Sequence, residues 1–164
     1  MRISRLLAVA ALAAIAVPVA LAATGGSKAR VVSVSHGPVK LVYVDLGATG
    51  PSVGDSYSAN VPAKGPGGKP ARVVGTLTTV AENTPAHGKE IRTTKLVFVF
   101  ANPNDQIEIG GASVYSANAP TRPKKSVTIR PVVGGSGVYA GAGGWAESIH
   151  YANGDWTHRL HLER

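Results

Sequence analysis

Residues 126–162 read SVTIRPVVGGSGVYAGAGGWAESIHYANGDWTHRLHL, and the reading of this stretch decides the fold. Two segments of period-two alternation, Ser126–Val133 and Gly144–Tyr151, flank a run of glycines. Gly134, Gly135 and Gly137 permit the positive φ of a tight turn, while Gly141, Gly143 and Gly144 let a strand coil sharply at a barrel corner. Asn153-Gly154 then separates Gly144–Tyr151 from a further alternating segment, Trp156–Leu162, and Asn-Gly between such segments is the strongest short-range hairpin signal. The stretch is therefore expected to form consecutive antiparallel strands.

A two-residue turn at Asn153-Gly154 predicts a register in which Tyr151 faces Trp156, Ile149 faces His158 and Glu147 faces Leu160. One face then carries Trp145, Ile149, Tyr151, Trp156, Leu160 and Leu162 and points inward. The other carries Ala146, Ser148, His150, Thr157, Arg159 and His161. Glu147 and His158 are expected on the inward face as diagonal neighbours. Desolvation there would shift their pKa values and let them exchange a proton or hold a polar ligand group. The bland alternative is that they bond each other, or sit in water at the barrel mouth, with no ligand.

Working outward, β-branched period-two segments recur at Lys40–Leu46, Ser56–Val61, Arg72–Ala81, Glu90–Ala101 and Gln106–Tyr115, which with the three above makes eight strands. Eight strands close into a small barrel whose interior holds side chains or one small ligand. Asn102–Asp105 is turn chemistry, and Pro62–Pro70 and Ala117–Lys125 read as exposed rim loops. Val31–Val34 is either an edge strand or no element. In Lys40–Leu46, Tyr43 and Asp45 share one face and Val42, Val44 and Leu46 the other; burial favours the valines inside, and parity alone does not choose.

The N-terminus has the form of an export signal. Arg2 and Arg5 precede a charge-free apolar run, Leu6–Val17, followed by Pro18 and the small-x-small pattern Ala20-Leu21-Ala22. The run falls short of the ~20 residues that span a bilayer, which argues against a retained anchor and stable membrane insertion. The expected organisation is a signal helix at 1–22, a flexible leader at 23–36 and one barrel domain at 37–164, in a secreted or cell-envelope protein. With no cysteine, such a protein must be held by packing and a closed hydrogen-bond ladder, and thiolate catalysis is excluded.

The chain carries 17 Lys and Arg against 9 Asp and Glu; without Arg2 and Arg5 this becomes 15 against 9, or +6. The bases are scattered and no aromatic residues interleave them, so nucleic acid is not expected as a partner. Gly135, Gly137 and Ala140 match a dinucleotide spacing, but a strand rather than a helix is predicted next, so no cofactor is expected. His158 and His161 point to opposite faces of a strand and cannot share a metal. No G-x-S-x-G elbow is present.

Three stretches in order resemble the dirigent and allene oxide cyclase barrel superfamily: Leu96–Phe100, Ile107–Ala112 and above all Val132–Gly144, which is similar to V-x-G-G-[TS]-G-x-[FY]-x-x-A-x-G. Upstream, Asp45 with Gly47, then Gly54-Asp55, is similar to the opening strand and following loop. The resemblance implies an eight-stranded antiparallel barrel whose cavity takes a small hydrophobic or phenolic molecule and steers its cyclisation or coupling, as an isomerase-like, cofactor-free activity. It implies a cavity-facing role for Asp45, which matches the strand-one acid of dirigent proteins, and places Glu147 near the family's polar cavity residues. It also suggests a homotrimer. Ser113 stands where the dirigent pattern has an acid, and the cysteine of the plant cyclase cavity is missing, which leaves a different cyclisation open.

The candidate catalytic residues are thus Asp45, Glu147 and His158, with Tyr43, Tyr115, Trp145 and Trp156 as substrate contacts. The rival readings are a non-enzymatic carrier or envelope-associated binding protein, and a structural wall protein with a filled barrel. A cavity too small for a water cluster would favour the last, an apolar cavity without convergent polar groups the carrier, and convergence of Asp45 with Glu147 or His158 the enzyme.

Overall fold

The computed structural model describes residues 30–163, so the expected signal helix and cleavage site lie outside the described residues. Nine strands follow in order: β1 (Arg30–His36), β2 (Val42–Val44), β3 (Ser56–Lys64), β4 (Pro70–Glu82), β5 (Lys89–Val99), β6 (Gln106–Ser116), β7 (Ser126–Ser136), β8 (Gly143–His150) and β9 (Trp156–Glu163). They form one sheet in the order β1-β9-β8-β7-β6-β5-β4-β3-β2, and Ser35 of β1 pairs with Lys64 of β3 to close it. β2 pairs with the opposite end of the same β3 edge, Val42 against Ser58 and Val44 against Ser56. β1 and β2 thus share one position, and the result is a closed, eight-stranded antiparallel barrel. Closure pairs every strand with two neighbours or, for β1 and β2, with a shared β3 edge, although β6 pairs with β7 only from Gln106 to Ile109.

Three expectations are corrected. Val31–Val34 belongs to β1, which pairs with β9 from Arg30↔Leu162 to His36↔Trp156, so the barrel begins inside the segment 23–36 expected to be a leader. Its alternation is too short to stand out in the sequence, but Val32 and Val34 are fully buried. Lys40–Leu46 in turn holds only the three residues of β2. Pro62–Pro70 is not a long rim loop, because β3 runs on to Lys64 and β4 starts at Pro70, with Gly65 N donating to Lys69 O at 2.8 Å across the turn. Pro62 is tolerated in β3 because the strand's other edge there is paired with neither β1 nor β2.

A further correction decides the site. In the last hairpin His150 faces Trp156, Ser148 faces His158 and Ala146 faces Leu160. The loop holds three residues rather than two, closed by Tyr151 N to Asp155 O at 2.9 Å and Gly154 N to Tyr151 O at 3.1 Å, with Gly154 at φ 95°. This is a turn with a glycine bulge, and its odd residue count reverses which face of β8 points inward. The β9 face is as expected, with Trp156, His158, Leu160 and Leu162 buried. On β8 it is Ala146, Ser148 and His150 that are buried. Of the glycines upstream, Gly137, Gly141 and Gly144 adopt positive φ, and a Cβ on Gly144 would run into the His161 carbonyl of β9.

The barrel interior is divided along its axis. One end is apolar, packed by Val32, Val73, Phe98, Ile107, Val132 and Leu160 among others. The other end holds a smaller cluster, Tyr57, Leu77 and Tyr115, together with the buried polar side chains Thr79, Glu90, Arg92, Thr94, Arg130, Ser148 and His158. The apolar plug supplies most of the hydrophobic stabilisation and leaves the polar end free for recognition.

Candidate active site

The polar end holds a partly open cavity of about 60 Å³. At roughly 10–15 Å³ per water it has room for a cluster of about four to six. Its apolar lining includes Val61, Leu77 and Leu96; its polar lining is His36, Thr94, Tyr115, Thr121, Arg122, Arg130, Ser148, Trp156 and His158. Among the described residues, no carboxylate lines it.

One wall is a chain of hydrogen bonds across β8, β9 and β1. Ser148 Oγ lies 2.9 Å from His158 Nδ1, His158 Nε2 lies 3.2 Å from His36 Nε2, and His36 Nδ1 lies 2.7 Å from Gly37 O. Burial pushes the His158 pKa down to about 3, and the neighbouring His36 and Arg130 act in the same direction. Burial also lowers that of His36, against the raising influence of Gly37 O and Asp155. Both rings are therefore neutral, and a carbonyl only accepts. His36 Nδ1 must donate to Gly37 O, His158 Nε2 must donate to His36 Nε2, and Ser148 must donate to His158 Nδ1. Having spent its proton, Ser148 Oγ is left as an acceptor for a ligand hydroxyl or N–H. Trp156 stacks on His150, ring centroids 4.1 Å apart, and closes this side.

The facing wall rests on Arg92, which is fully buried in β5. Its Nε bonds Glu90 at close range, Nη2 donates to Tyr57 OH at 3.2 Å, and Nη1 donates to Ala119 O at 2.9 Å and Pro120 O at 3.1 Å. The guanidinium also lies over the rings of Tyr57 and Tyr115, at 4.1 and 4.7 Å. This clamp ties the 117–125 loop to the barrel and so holds Thr121 and Arg122 at the cavity. Tyr115 OH in turn accepts from Arg130 Nη2 at 2.9 Å. Burial lowers the Arg130 pKa, while Tyr115 opposes the shift.

Of the residues expected from the sequence, Tyr115, Trp156 and His158 line the cavity together. Glu147 lies on the outer face of β8, 3.6 Å from Arg159 and 3.8 Å from His161, away from His158 because of the three-residue turn. Trp145 is also outside, stacked on His161 at 3.8 Å. Asp45 is exposed beyond β2 and accepts from Gly50 N at 3.4 Å. Tyr43 is 41% exposed and donates to Asp55 Oδ2 at 2.7 Å. Asp55, not Asp45, is the buried acid of this region: it accepts from Leu46 N, Ser52 N, Ser52 Oγ and Tyr43 OH. Burial alone would raise its pKa, but these bonds hold it below the ordinary carboxylate value. Sequence reasoning missed Arg130, Ser148 and His36. In β7 the more apolar residues, Val127 and Ile129, face out while Thr128 and Arg130 face in, so a burial rule applied to the sequence gives the opposite orientation.

No protein-family model matches the chain, and no curated protein matches it. Solved structures do. A pyocyanin demethylase is 18% identical, with a TM-score of 0.59, over 82% of this chain and 99% of that one. A pterocarpan synthase dirigent protein is 14% identical, with a TM-score of 0.56, over 93% of this chain and 96% of that one. A Diels Alderase from Streptomyces koyangensis is 18% identical, with a TM-score of 0.58, over 87% of this chain and 72% of that one. At these identities the likeness is one of fold, and it joins the closed eight-stranded barrel to the resemblance carried by Val132–Gly144. In fold, the chain is similar to these dirigent and Diels Alderase barrels.

Proposed function

We propose that this barrel binds a small hydrophobic or phenolic metabolite in the cavity at its polar end and steers its cyclisation or coupling, without a cofactor. The observation that carries the reading is the convergence of buried polar groups, Tyr115, Arg130, Ser148 and His158, on a cavity with apolar walls. Such a site holds a flexible intermediate in one conformation and excludes water from it. Arg130 and Tyr115 would stabilise negative charge developing on an oxygen, and Ser148 would orient a hydroxyl. His158 shifted to about 3 is too weak a base to start the reaction by itself, so its role is to fix Ser148.

A carrier is the second reading, favoured by a cavity wall that holds no carboxylate among the described residues. Native mass spectrometry of protein purified from its own host separates the two. A retained molecule that is released unchanged after incubation supports the carrier, and one released as a cyclised or coupled product supports the enzyme. An empty barrel under all conditions overturns both. The reading includes export directed by residues 1–22 and residence outside the cell or in its envelope. It also includes self-association as a trimer, for which the exposed Val127, Ile129 and Val133 of β7 offer an apolar outer face.

A further inference from the structure

We infer that the molecule taken by the cavity is an anion: a compact hydrophobic body bearing one carboxylate or comparably acidic oxygen, held by Arg130. The inference rests on the ligand-binding reading above and names the chemistry of that ligand.

Arg130 is 4% exposed, yet its only hydrogen bonds among the described residues are from Nη2, to Tyr115 OH at 2.9 Å, Ser113 Oγ at 3.4 Å and Thr94 Oγ1 at 3.5 Å. Its Nε is buried with no partner. No carboxylate forms an ion pair with it among the described residues. The contrast within the same barrel is Arg92, whose charge is met by the buried Glu90. Arg122 repeats the pattern of Arg130. It too lines the cavity and, though half-buried as a whole, bonds only the Val114 carbonyl through its side chain among the described residues and keeps a buried Nε without a partner there.

A buried guanidinium without a counter-charge is costly, and two beside one cavity repel each other. The remaining ionisable groups of the lining do not compensate. His36 and His158 are imidazoles, and Tyr115 already accepts from Arg130. The third unpartnered buried atom on this lining, Trp156 Nε1, is likewise a donor only. The wall therefore has a surplus of donors and of positive charge, and what it lacks is an acceptor with negative charge. A carboxylate matches the planar fork of a guanidinium. The apolar lining from Val61, Leu77 and Leu96 fits the body of such a molecule. Arg130 and Ser148 lie on paired strands one step apart on the inward face, since Arg130 pairs with Ala146 and Thr128 with Ser148. A ligand anchored by its oxyanion at Arg130 can thus also donate a hydroxyl to Ser148.

The test is calorimetric titration of the purified protein with three probes of nearly equal size: benzoate, benzamide and benzyl alcohol. Benzoate is expected to bind about 10- to 100-fold tighter than either neutral probe, the range of a charge-assisted hydrogen bond. Arg130→Gln is expected to erase that preference and Arg130→Lys to keep part of it, whereas Arg159→Gln on the outer face changes nothing. Should Arg130→Gln fail to fold, the unaltered protein still decides, by a larger rise of its melting temperature with benzoate than with benzamide. Neutral probes binding as tightly as benzoate overturn the anion inference while leaving the ligand-binding reading intact. Failure of all three to bind also overturns it, and the native mass spectrum of the host-purified protein then judges the ligand-binding reading separately.

Discussion

Replacing Arg92 by Met would remove the cation that spans the polar end of the barrel and leave Glu90 buried with only Thr79 Oγ1, at 3.2 Å, as a hydrogen-bond donor. Breaking one side of a buried ion pair costs about 3–5 kcal/mol. The 134 described residues imply an unfolding entropy of about 0.28 kcal/mol/K at roughly 2.1 cal/mol/K per residue. The melting temperature should therefore fall by about 10–18 °C. The double variant Arg92→Met with Glu90→Gln removes the orphaned charge and should recover part of the loss, which thermal denaturation followed by circular dichroism would read. Because Nη1 no longer holds Ala119 and Pro120, the 117–125 loop should also lose protection from proteolysis in both variants. A single variant melting within about 3 °C of the unaltered protein, which is about 1 kcal/mol, would refute the argument that this pair carries the rim.

His158 gives a pH dependence of defined sign. Below about pH 6.5 the unfolded chain takes up a proton on this residue that the folded chain refuses until about pH 3, so stability should fall as the pH drops through that window. The slope is at most about 1.4 kcal/mol per pH unit, and it should flatten in His158→Gln when urea midpoints are compared at pH 7 and pH 5. The hydrogen bond to Asp55 is the largest cause raising the Tyr43 pKa, and Asp55→Ala should bring Tyr43 ionisation back toward the ordinary phenol range in an ultraviolet pH titration. An unchanged titration would mean that the bond does not persist in solution. Glu147→Gln removes ion pairs that are partly exposed to water, so it should cost about 0–1 kcal/mol and leave cavity binding unchanged. Lost binding with unaltered melting would place Glu147 in the site after all.

The β-barrel was legible because its signals are local. Alternation marks the strands, and the glycines of Val132–Gly144 together with Asn153-Gly154 mark where they turn. What was not legible is parity. One residue more in the last turn than Asn-Gly ordinarily implies exchanges Glu147 for Ser148 on the inward face, although the side chains of β9 were assigned correctly. In β7 a buried arginine and exposed Val127 and Ile129 invert the usual rule, and a chain that places Arg130 inside has no local mark announcing it. The opening strand was displaced for a related reason. Val42 and Val44 are exposed, the shorter alternation of β1 closes the barrel, and the buried acid is Asp55, ten residues beyond Asp45 in the loop rather than on the strand.

The two tryptophans offer the most direct test of the central claim, since Trp156 lines the cavity and Trp145 stands outside the barrel. Nuclear magnetic resonance of the indole N–H signals, recorded as the host-derived ligand or benzoate is added, should show Trp156 shifting in a saturable way while Trp145 stays still. A shift of Trp145 with Trp156 unmoved would mean that the molecule binds outside, and that the cavity is not the site.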